Sequence, residues 1–483
     1  MSDPTIAPLR RPLGSTGLEC HPLGFGCYRV MEGNATHEAA LREYLARGGN
    51  LIDTSANYGD GRSELMVGNI LKEFPDDQVI VVTKGGYIQG QNLALAMQRK
   101  FPEVVEYGEG VWHSIHPEFL ETQVRRSAQR LRRNTIDAYL LHNPEYYLED
   151  AAHKGNITEK HHKEFYRRIG EAFRFLETKV AAGEIRWYGI SSNNFGMAAT
   201  HPTMTSLERC WQASESISPE HHFRVAQLPL NLYESGWALE TNNGGRTALE
   251  FCREHGIGVL INRPLNAFLS GRMVRLADYL KPGEKSPGRE RLHDELSELR
   301  HLESELRQQL DIPLLYGAPG GIGEYLEFMI PQITSAAHWE QVFYPKLIQP
   351  IERWAVECQQ LYGEREEWRA WWQRFSAMFP AVLEKMAQHV AASQQGVSDE
   401  VRAQLRSAGY PTAVSAPEGS GADGGASLSQ MSISLVAQLE GVSCVLVGMR
   451  RPEYVDDAFG IGDLAGLDAR SILARFRSMT SLQ

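Results

Sequence analysis

Between residues 18 and about 270 the chain alternates short β-branched or aliphatic runs with helical patterns, and this alternation restricts the fold more than any other feature. Parallel strands need a crossover, usually a helix, so repeated βα units build a parallel sheet. The Gly-punctuated opening RPLGSTGLECHPLGFGCYR, residues 11–29, has room for a small β-hairpin and then a first strand near 23–28. Further strands are expected in NLID, VIVVTK, IDAYLLH, RWYGISS, FRVAQLPLNLY and GIGVLINRPL, with helices over 37–47, 63–74, 116–132, 169–182, 207–216 and 247–255. An eighth unit comes much later: a helix over 428–439, the strand GVSCVLVGM and a helix-like RPEYVDDAF. Eight parallel strands with intervening helices imply a (β/α)8 TIM barrel, here over 11–270 and 428–483 and preceded by the N-terminal β-hairpin.

The intervening 271–427 has a different character and reads as an inserted all-helical subdomain. Leu292, Leu296, Leu299, Leu302, Leu306 and Leu310 recur at three- and four-residue spacing, as do Ile351, Trp354, Ala355, Cys358 and Leu361. Trp368, Trp371, Trp372, Phe375 and Phe379 form an aromatic stripe of the same period, read as helix-packing core. Residues 410–427, rich in Pro, Gly, Ala and Ser, resemble a linker returning to the barrel. The insertion leaves from the seventh strand, on the face where a barrel gathers its βα loops, so it is expected either as a lid or binding wall or as an oligomerisation element. The oligomeric state itself stays open.

Composition narrows the function classes. A net charge of -11 disfavours nucleic-acid and anionic-membrane partners, which require basic surfaces. The six cysteines are scattered without metal-ligand spacing, so buried free thiols are expected and no metal site is read from them. No N-terminal apolar h-region and no uninterrupted apolar run of about 18 residues is found, which gives the expectation of a cytoplasmic protein. The loop histidines His113, His116, His153, His161, His162, His221 and His222 carry no carboxylate-histidine motif and are read as surface residues. Gly317 to Gly323 lacks phosphate-loop spacing and a surrounding βαβ unit, so a turn between helices is expected there.

The chemistry is carried by strand ends. Asp53 ends one apolar run, Tyr58 follows in its loop, Lys84 ends VIVVTK and His142 ends AYLLH. At a barrel's C-terminal face, four such groups on three successive strands make a catalytic constellation. A tyrosine hydroxyl donates a proton poorly at neutral pH unless a cation stabilises its phenolate, and Lys84 is placed to do so. Asp53 would keep that buried lysine charged, and His142 would donate a hydrogen bond to a carbonyl oxygen that gains charge.

With these residues in place, the ordered stretches RPLGSTGLECHPLGFGCYR, NLIDTSANYGDGRSE, VVTKGG, IDAYLLHNPE, YGISSNN, VAQLPLNLYE and VGMRRPE resemble the aldo-keto reductase family. The resemblance implies an NADP-dependent oxidoreductase that interconverts an aldehyde, ketone or sugar with an alcohol. It makes Asp53, Tyr58, Lys84 and His142 the catalytic set, with Tyr58 as the proton donor. It further implies an extended nicotinamide dinucleotide, NADPH or alternatively NADH, across the barrel mouth. Gly26, Cys27, Tyr28 and Asp53 would then approach the nicotinamide ribose, Ser191 and Gln227 the carboxamide, with either Ser192 or Asn193 in the family's asparagine role. Asn262, Arg263 and Pro264 would lie beside the nicotinamide and pyrophosphate, and Gly448, Arg450, Arg451 and Asp457 at the adenosine end. A guanidinium there suits a 2′-phosphate. Asn262 and Ala458 depart from residues frequent in the family. Trp112, Tyr146 and Tyr147, on long loops of the same face, are candidate contacts for an apolar or sugar-like substrate. A cofactor-binding regulatory or scaffolding protein is the alternative from another class.

Overall fold

The computed structural model describes residues 9–75, 77–155, 157–269, 272–280, 289–315, 321–333, 339, 343–411, 425–461 and 466–480. Its strands are β1 (Arg11–Pro12), β2 (Glu19–Cys20), β3 (Leu23–Gly26), β4 (Leu51–Asp53), β5 (Ile80–Gly85), β6 (Tyr87–Ile88), β7 (Val105–Gly108), β8 (Val111–His113), β9 (Ile136–His142), β10 (Ile185–Ser191), β11 (Phe223–Pro229), β12 (Gly258–Asn262), β13 (Asn266–Leu269), β14 (Arg272–Arg275) and β15 (Cys444–Val447). Eight of them, β3, β4, β5, β9, β10, β11, β12 and β15, close in that order into a barrel in which every pairing is parallel. These are the eight expected strands, and the strand ends meet in register: Gly26 lies beside Asp53, and Ser191 pairs with both His142 and Gln227.

The crossovers are α1 (Ala35–Ala46), α2 (Arg62–Leu71), α3 (Gln91–Arg99), α4 (Pro117–Leu131), α5 (Tyr146–His153), α6 (Glu159–Ala181), α7 (Leu207–Glu215), α8 (Gly236–Leu239) and α9 (Ala248–Glu254). Helix α6 starts ten residues before the expected 169, because its first turns are charged and Phe165 is the single buried apolar residue before Ile169. Thr158 starts it, its backbone N–H donating to His161 Nδ1 at 3.1 Å. Alternate strand residues fill the barrel: Leu51, Ile80, Val82, Ala138, Leu140, Val225, Leu260 and Leu446. Leu13 and Cys20 of the hairpin β1–β2 join that cluster and plug its lower end. Gly14 allows the plug to seat, since at φ +56° a Cβ there would meet the backbone nitrogen of Gly258, the first residue of β12, at 2.3 Å.

Three stretches differ from the sequence expectation, one of them residues 145–164, read as a long loop, which hold α5 and the start of α6. Residues 85–115, expected as an extended loop, hold α3 and an antiparallel sheet in the order β6-β8-β7, with Ile88, Ala96, Phe101 and Phe119 as its own small core. The start of the insertion, expected to be helical, is instead the strand β14, which pairs antiparallel with β13 just before it.

Contacts divide the chain into two compact units, one running to Leu276 and resuming at Gln404, the other Ala277–Ala403. The second unit contains α10 (Arg289–Leu310), α11 (Gly321–Met329), α12 (Tyr344–Tyr362) and most of α13 (Glu366–Ser407). Its core is built by the leucine stripe of α10 with Ile351, Trp354, Cys358, Trp368, Trp371, Phe375 and Phe379. Trp371 Nε1 donates to Leu302 O at 2.7 Å, which satisfies the indole inside that core. The chain then completes the barrel with α14 (Leu428–Ala437), β15, α15 (Pro452–Phe459) and α16 (Ala469–Thr480). Most of the Gly317 to Gly323 motif and of the 410–427 linker lies outside the described residues. All six cysteines are free and buried, and no described helix is long and apolar enough to cross a membrane.

Candidate active site

The four strand-end groups converge. Lys84 is fully buried at the end of β5, and its Nζ donates to Asp53 Oδ2 at 2.8 Å, to Thr54 O at 2.8 Å and to Tyr58 Oη at 3.3 Å. Three donors and three acceptors are what an ammonium requires. Because Tyr58 Oη accepts from Lys84, its own hydrogen is left to donate elsewhere. Asp53 Oδ1 in turn accepts from Gln227 Nε2 at 2.6 Å, and Gln227 Oε1 accepts from Ser191 Oγ at 2.9 Å and Asn262 Nδ2 at 3.4 Å. One hydrogen-bonded line thus runs across the barrel mouth from β10 to Tyr58.

Burial governs the ionisation here. It pushes Asp53 above and Lys84 below the ordinary ranges, while the charge of each opposes the shift of the other. Tyr58 is pushed well above the ordinary phenol value, by burial first and Asp53 next. Burial thus outweighs the ammonium that donates to the phenol oxygen at 3.3 Å. Asp53 compensates its charge at 2.8 Å, so Tyr58 faces a nearly neutral pair and stays protonated at neutral pH. His142 is held well below its ordinary value by burial, then by Lys84 and His113, and is a neutral imidazole. Its ring centroid lies 5.9 Å from that of Tyr58.

Three nearby residues were not singled out in the sequence. Tyr87 of β6 packs on His142 at 4.7 Å, and its hydroxyl accepts from Asn143 Nδ2 at 2.7 Å. Ser55 Oγ lies 3.0 Å from His142 Nδ1. Glu145 is buried with Oε1 accepting from Asn193 N at 2.7 Å, and burial raises it to about 8. Tyr87 lay in a stretch read as loop, and Ser55 and Glu145 needed three-dimensional neighbours to acquire meaning.

Of the expected substrate contacts, Tyr146 is one ring removed from His142, its hydroxyl 3.2 Å from that of Tyr87. Trp112 packs on the small core beside β6. The Arg168 guanidinium covers the Tyr147 ring at 4.2 Å. Among the expected dinucleotide contacts, Gly26 follows Phe25 on β3, Cys27 is buried, and Tyr28 stands exposed with its ring 5.1 Å from Tyr58. Ser192 is buried against Thr205, whereas the Asn193 side chain is exposed. Pro264 is buried, and Arg263 donates to Glu234 Oε1 at 2.6 Å. Arg450 and Arg451 immediately precede α15, and their charges add to the burial that lowers His37. Asp457 is engaged by Ser427 Oγ at 2.8 Å and by Ser429 Oγ, so its carboxylate secures α14 to α15. Among the described residues no three His, Cys, Asp or Glu converge on a metal-sized site.

A model described as the aldo/keto reductase family matches residues 22–312, more than half of the chain. This chain belongs to the aldo/keto reductase family. The NADH-specific methylglyoxal reductase of Escherichia coli strain K12 is 25% identical over 286 residues, covering 57% of this chain and 72% of that protein. The aryl-alcohol dehydrogenase [NADP(+)] of Phanerodontia chrysosporium is 23% identical over 284 residues, covering 58% of this chain, which spans only 60% of that relative. A solved structure of the glycerol dehydrogenase from Gluconobacter oxydans covers 98% of this chain and 97% of that one, at 18% identity and a TM-score of 0.49.

The residues of this aldo/keto reductase fit a dinucleotide. Asn262 Oδ1 and Arg263 Nε, at the end of β12, are buried without a hydrogen-bond partner among the described residues, a costly arrangement unless a ligand satisfies them. At the end of β15, open space surrounds Gly448, where an added Cβ would meet nothing within 4 Å.

Proposed function

We propose that this aldo/keto reductase is an NADP-dependent oxidoreductase interconverting a carbonyl compound, an aldehyde, ketone or sugar, with its alcohol. The observation that carries the reading is the Lys84 ammonium held between Asp53 and Tyr58, which leaves the phenol protonated with its hydrogen free. The cofactor supplies or accepts the hydride. In the reductive direction Tyr58 gives its proton to the substrate oxygen, and Lys84 stabilises the phenolate that results. His142, neutral, donates a hydrogen bond to the same oxygen as charge develops on it. In the oxidative direction the phenolate takes the alcohol proton. Arg263 and Asn262 would hold the dinucleotide's central part, and Arg450 and Arg451 its adenosine end. Two guanidiniums favour a 2′-phosphate and hence NADPH, although relatives are named for either cofactor. Tyr28, Tyr87 and Tyr146 would line the substrate side.

The test is turnover of the purified full chain with NADPH and a panel of aldehydes, ketones and sugars, comparing wild type with Tyr58→Phe. Loss of roughly 10²- to 10⁴-fold in kcat with unchanged cofactor binding is expected. Equal turnover by both proteins would remove Tyr58 from the chemistry, and cofactor binding with no turnover of any substrate would favour a regulatory protein. Arg450→Ala should weaken NADPH binding much more than NADH binding; equal losses would refute the 2′-phosphate role.

A further inference from the structure

A hydroxyl has one hydrogen to give, so a row of hydroxyls donating in one direction must end on an acceptor. Such a row starts beside the imidazole. Asn143 Nδ2 donates to Tyr87 Oη at 2.7 Å, and Tyr87 Oη donates to Tyr146 Oη at 3.2 Å. Burial holds both phenols above their ordinary value, so each keeps its hydrogen at neutral pH. Tyr146 Oη is thus the acceptor of the pair, and its own hydrogen has no acceptor among the described residues. Asn143 fixes the start of the row. It follows His142 at the end of β9 with φ +49°, a left-handed conformation that suits asparagine, and its backbone N–H donates to Ser191 O at 2.7 Å.

The row ends on the substrate side of the mouth. Tyr87 stands edge-on to His142 with ring centroids 4.7 Å apart, and Tyr146 stands edge-on to Tyr87 at 5.4 Å. Tyr28, edge-on to Tyr58 at 5.1 Å, is felt electrostatically by the hydroxyls of both Tyr58 and Tyr146. Tyr107 at 4.4 Å and His113 at 5.5 Å pack on the half-buried Tyr146 ring and hold it in place. A carbonyl oxygen held by Tyr58 and His142 therefore leaves the rest of its molecule among tyrosine faces, with one phenol hydrogen unpaired. A plain alkyl or aryl tail would cover that hydrogen without accepting it, which is costly for a desolvated donor. A hydroxyl on the substrate accepts it and gives its own hydrogen to the remaining Tyr146 lone pair, while the C–H faces of a sugar chain lie on the rings.

We propose that Tyr146 is a specificity-determining residue and that the substrate is a polyhydroxy carbonyl compound, one of whose hydroxyls beyond the carbonyl accepts from Tyr146 Oη. The inference rests on the redox reading of the site and narrows its substrate class, because only a carbonyl held at Tyr58 and His142 brings a carbon chain past Tyr146.

Steady-state reduction by the purified full chain with NADPH tests this on two pairs of aldehydes matched in carbon number, D-glyceraldehyde with propanal and D-erythrose with butanal. Tyr146→Phe keeps the ring and removes the hydroxyl. It should lower kcat/KM for the hydroxylated member of at least one pair about tenfold more than for its alkyl partner, the loss of one hydrogen bond. The pair that responds reports how far along the chain the contacted hydroxyl lies. Taking variant over wild type within each pair cancels the intrinsic reactivity of the aldehydes, and a merely structural role for Tyr146 would lower both members alike. Equal changes within both pairs, or no change in either, overturn the proposal. Should Tyr146→Phe fail to fold, Tyr87→Phe removes the hydroxyl that donates to Tyr146 and should show the same selective loss, with equal losses again overturning the proposal. Turnover of all four aldehydes undiminished by Tyr58→Phe would instead locate the failure in the redox reading.

Discussion

At the scale of single residues, Lys84 and Asp53 are held by each other. Both are buried, so the ammonium's hydrogens and the carboxylate's lone pairs depend on protein partners, and removing one partner strands the other's charge. Lys84→Met is expected to lower the unfolding free energy by about 3–5 kcal/mol in urea denaturation. The double variant Lys84→Met, Asp53→Leu should recover most of that loss, since no charge is then stranded; failure to recover would mean the pair acts through packing. The buried histidines make a second, pH-dependent contribution. His113 donates from Nε2 to His142 O at 2.7 Å, and burial depresses it to about 4, while His142 is also held well below its ordinary value. In the unfolded chain both bind a proton near pH 6.5; in the folded chain they stay neutral. The unfolded state therefore binds more protons below pH 6.5, so stability is intact above that value and falls as the pH drops from 6.5 towards 4. Each residue contributes about 1.4 kcal/mol per pH unit in that window. His113→Gln should flatten the slope of unfolding free energy between pH 6.5 and 5, and an unchanged slope would show that His113 titrates normally.

At the scale of elements, close approach of backbones sets the limits. A Cβ at Gly68 of α2 would lie 2.2 Å from Arg130 O in α4, a carbonyl that cannot yield without moving its helix. The same contact is reinforced by Glu64, fully buried, which accepts from Arg130 Nε at 2.6 Å. Gly68→Ala should therefore cost about 1–3 kcal/mol by overpacking, whereas Gly448→Ala, with open space around it, should change stability by less than about 0.5 kcal/mol. Equal melting temperatures for the two variants would contradict this. Elements were legible in the sequence to the degree that they repeat an apolar period. The eight barrel strands are continuous apolar runs because both faces are covered, and β4, β9, β10 and β12 end at Asp53, His142, Ser191 and Asn262, which the barrel carries to its mouth. The strands of residues 87–113 are two to four residues long, too short for any period, so the sheet that positions Tyr87 was invisible. Asp53, Lys84 and His142 were legible because they terminate such runs. Ser55 was not, because a serine in a loop acquires its contact only from the His142 nitrogen 87 residues away.

At the scale of the whole molecule, the change of period near residue 290, from strand-and-helix alternation to unbroken helical stripes, marks a second core. The aromatic side chains of α12 and α13 pack on the leucines of α10, and the barrel fills its interior with a separate set of residues. Two cores with no shared residue are expected to unfold as separate cooperative steps, because each gains its burial energy from its own side chains. Trp371 tests this, being almost fully buried and hydrogen-bonded to Leu302 O inside the helical core. Trp371→Ala removes one of the largest side chains there and leaves Leu302 O without its donor, at a cost of about 3–5 kcal/mol to that core. Calorimetry of the full chain should show one transition lowered by several degrees while the other, assigned to the barrel by its sensitivity to Gly68→Ala, stays in place. A single transition that moves with either substitution would mean that the barrel and the helical unit fold as one.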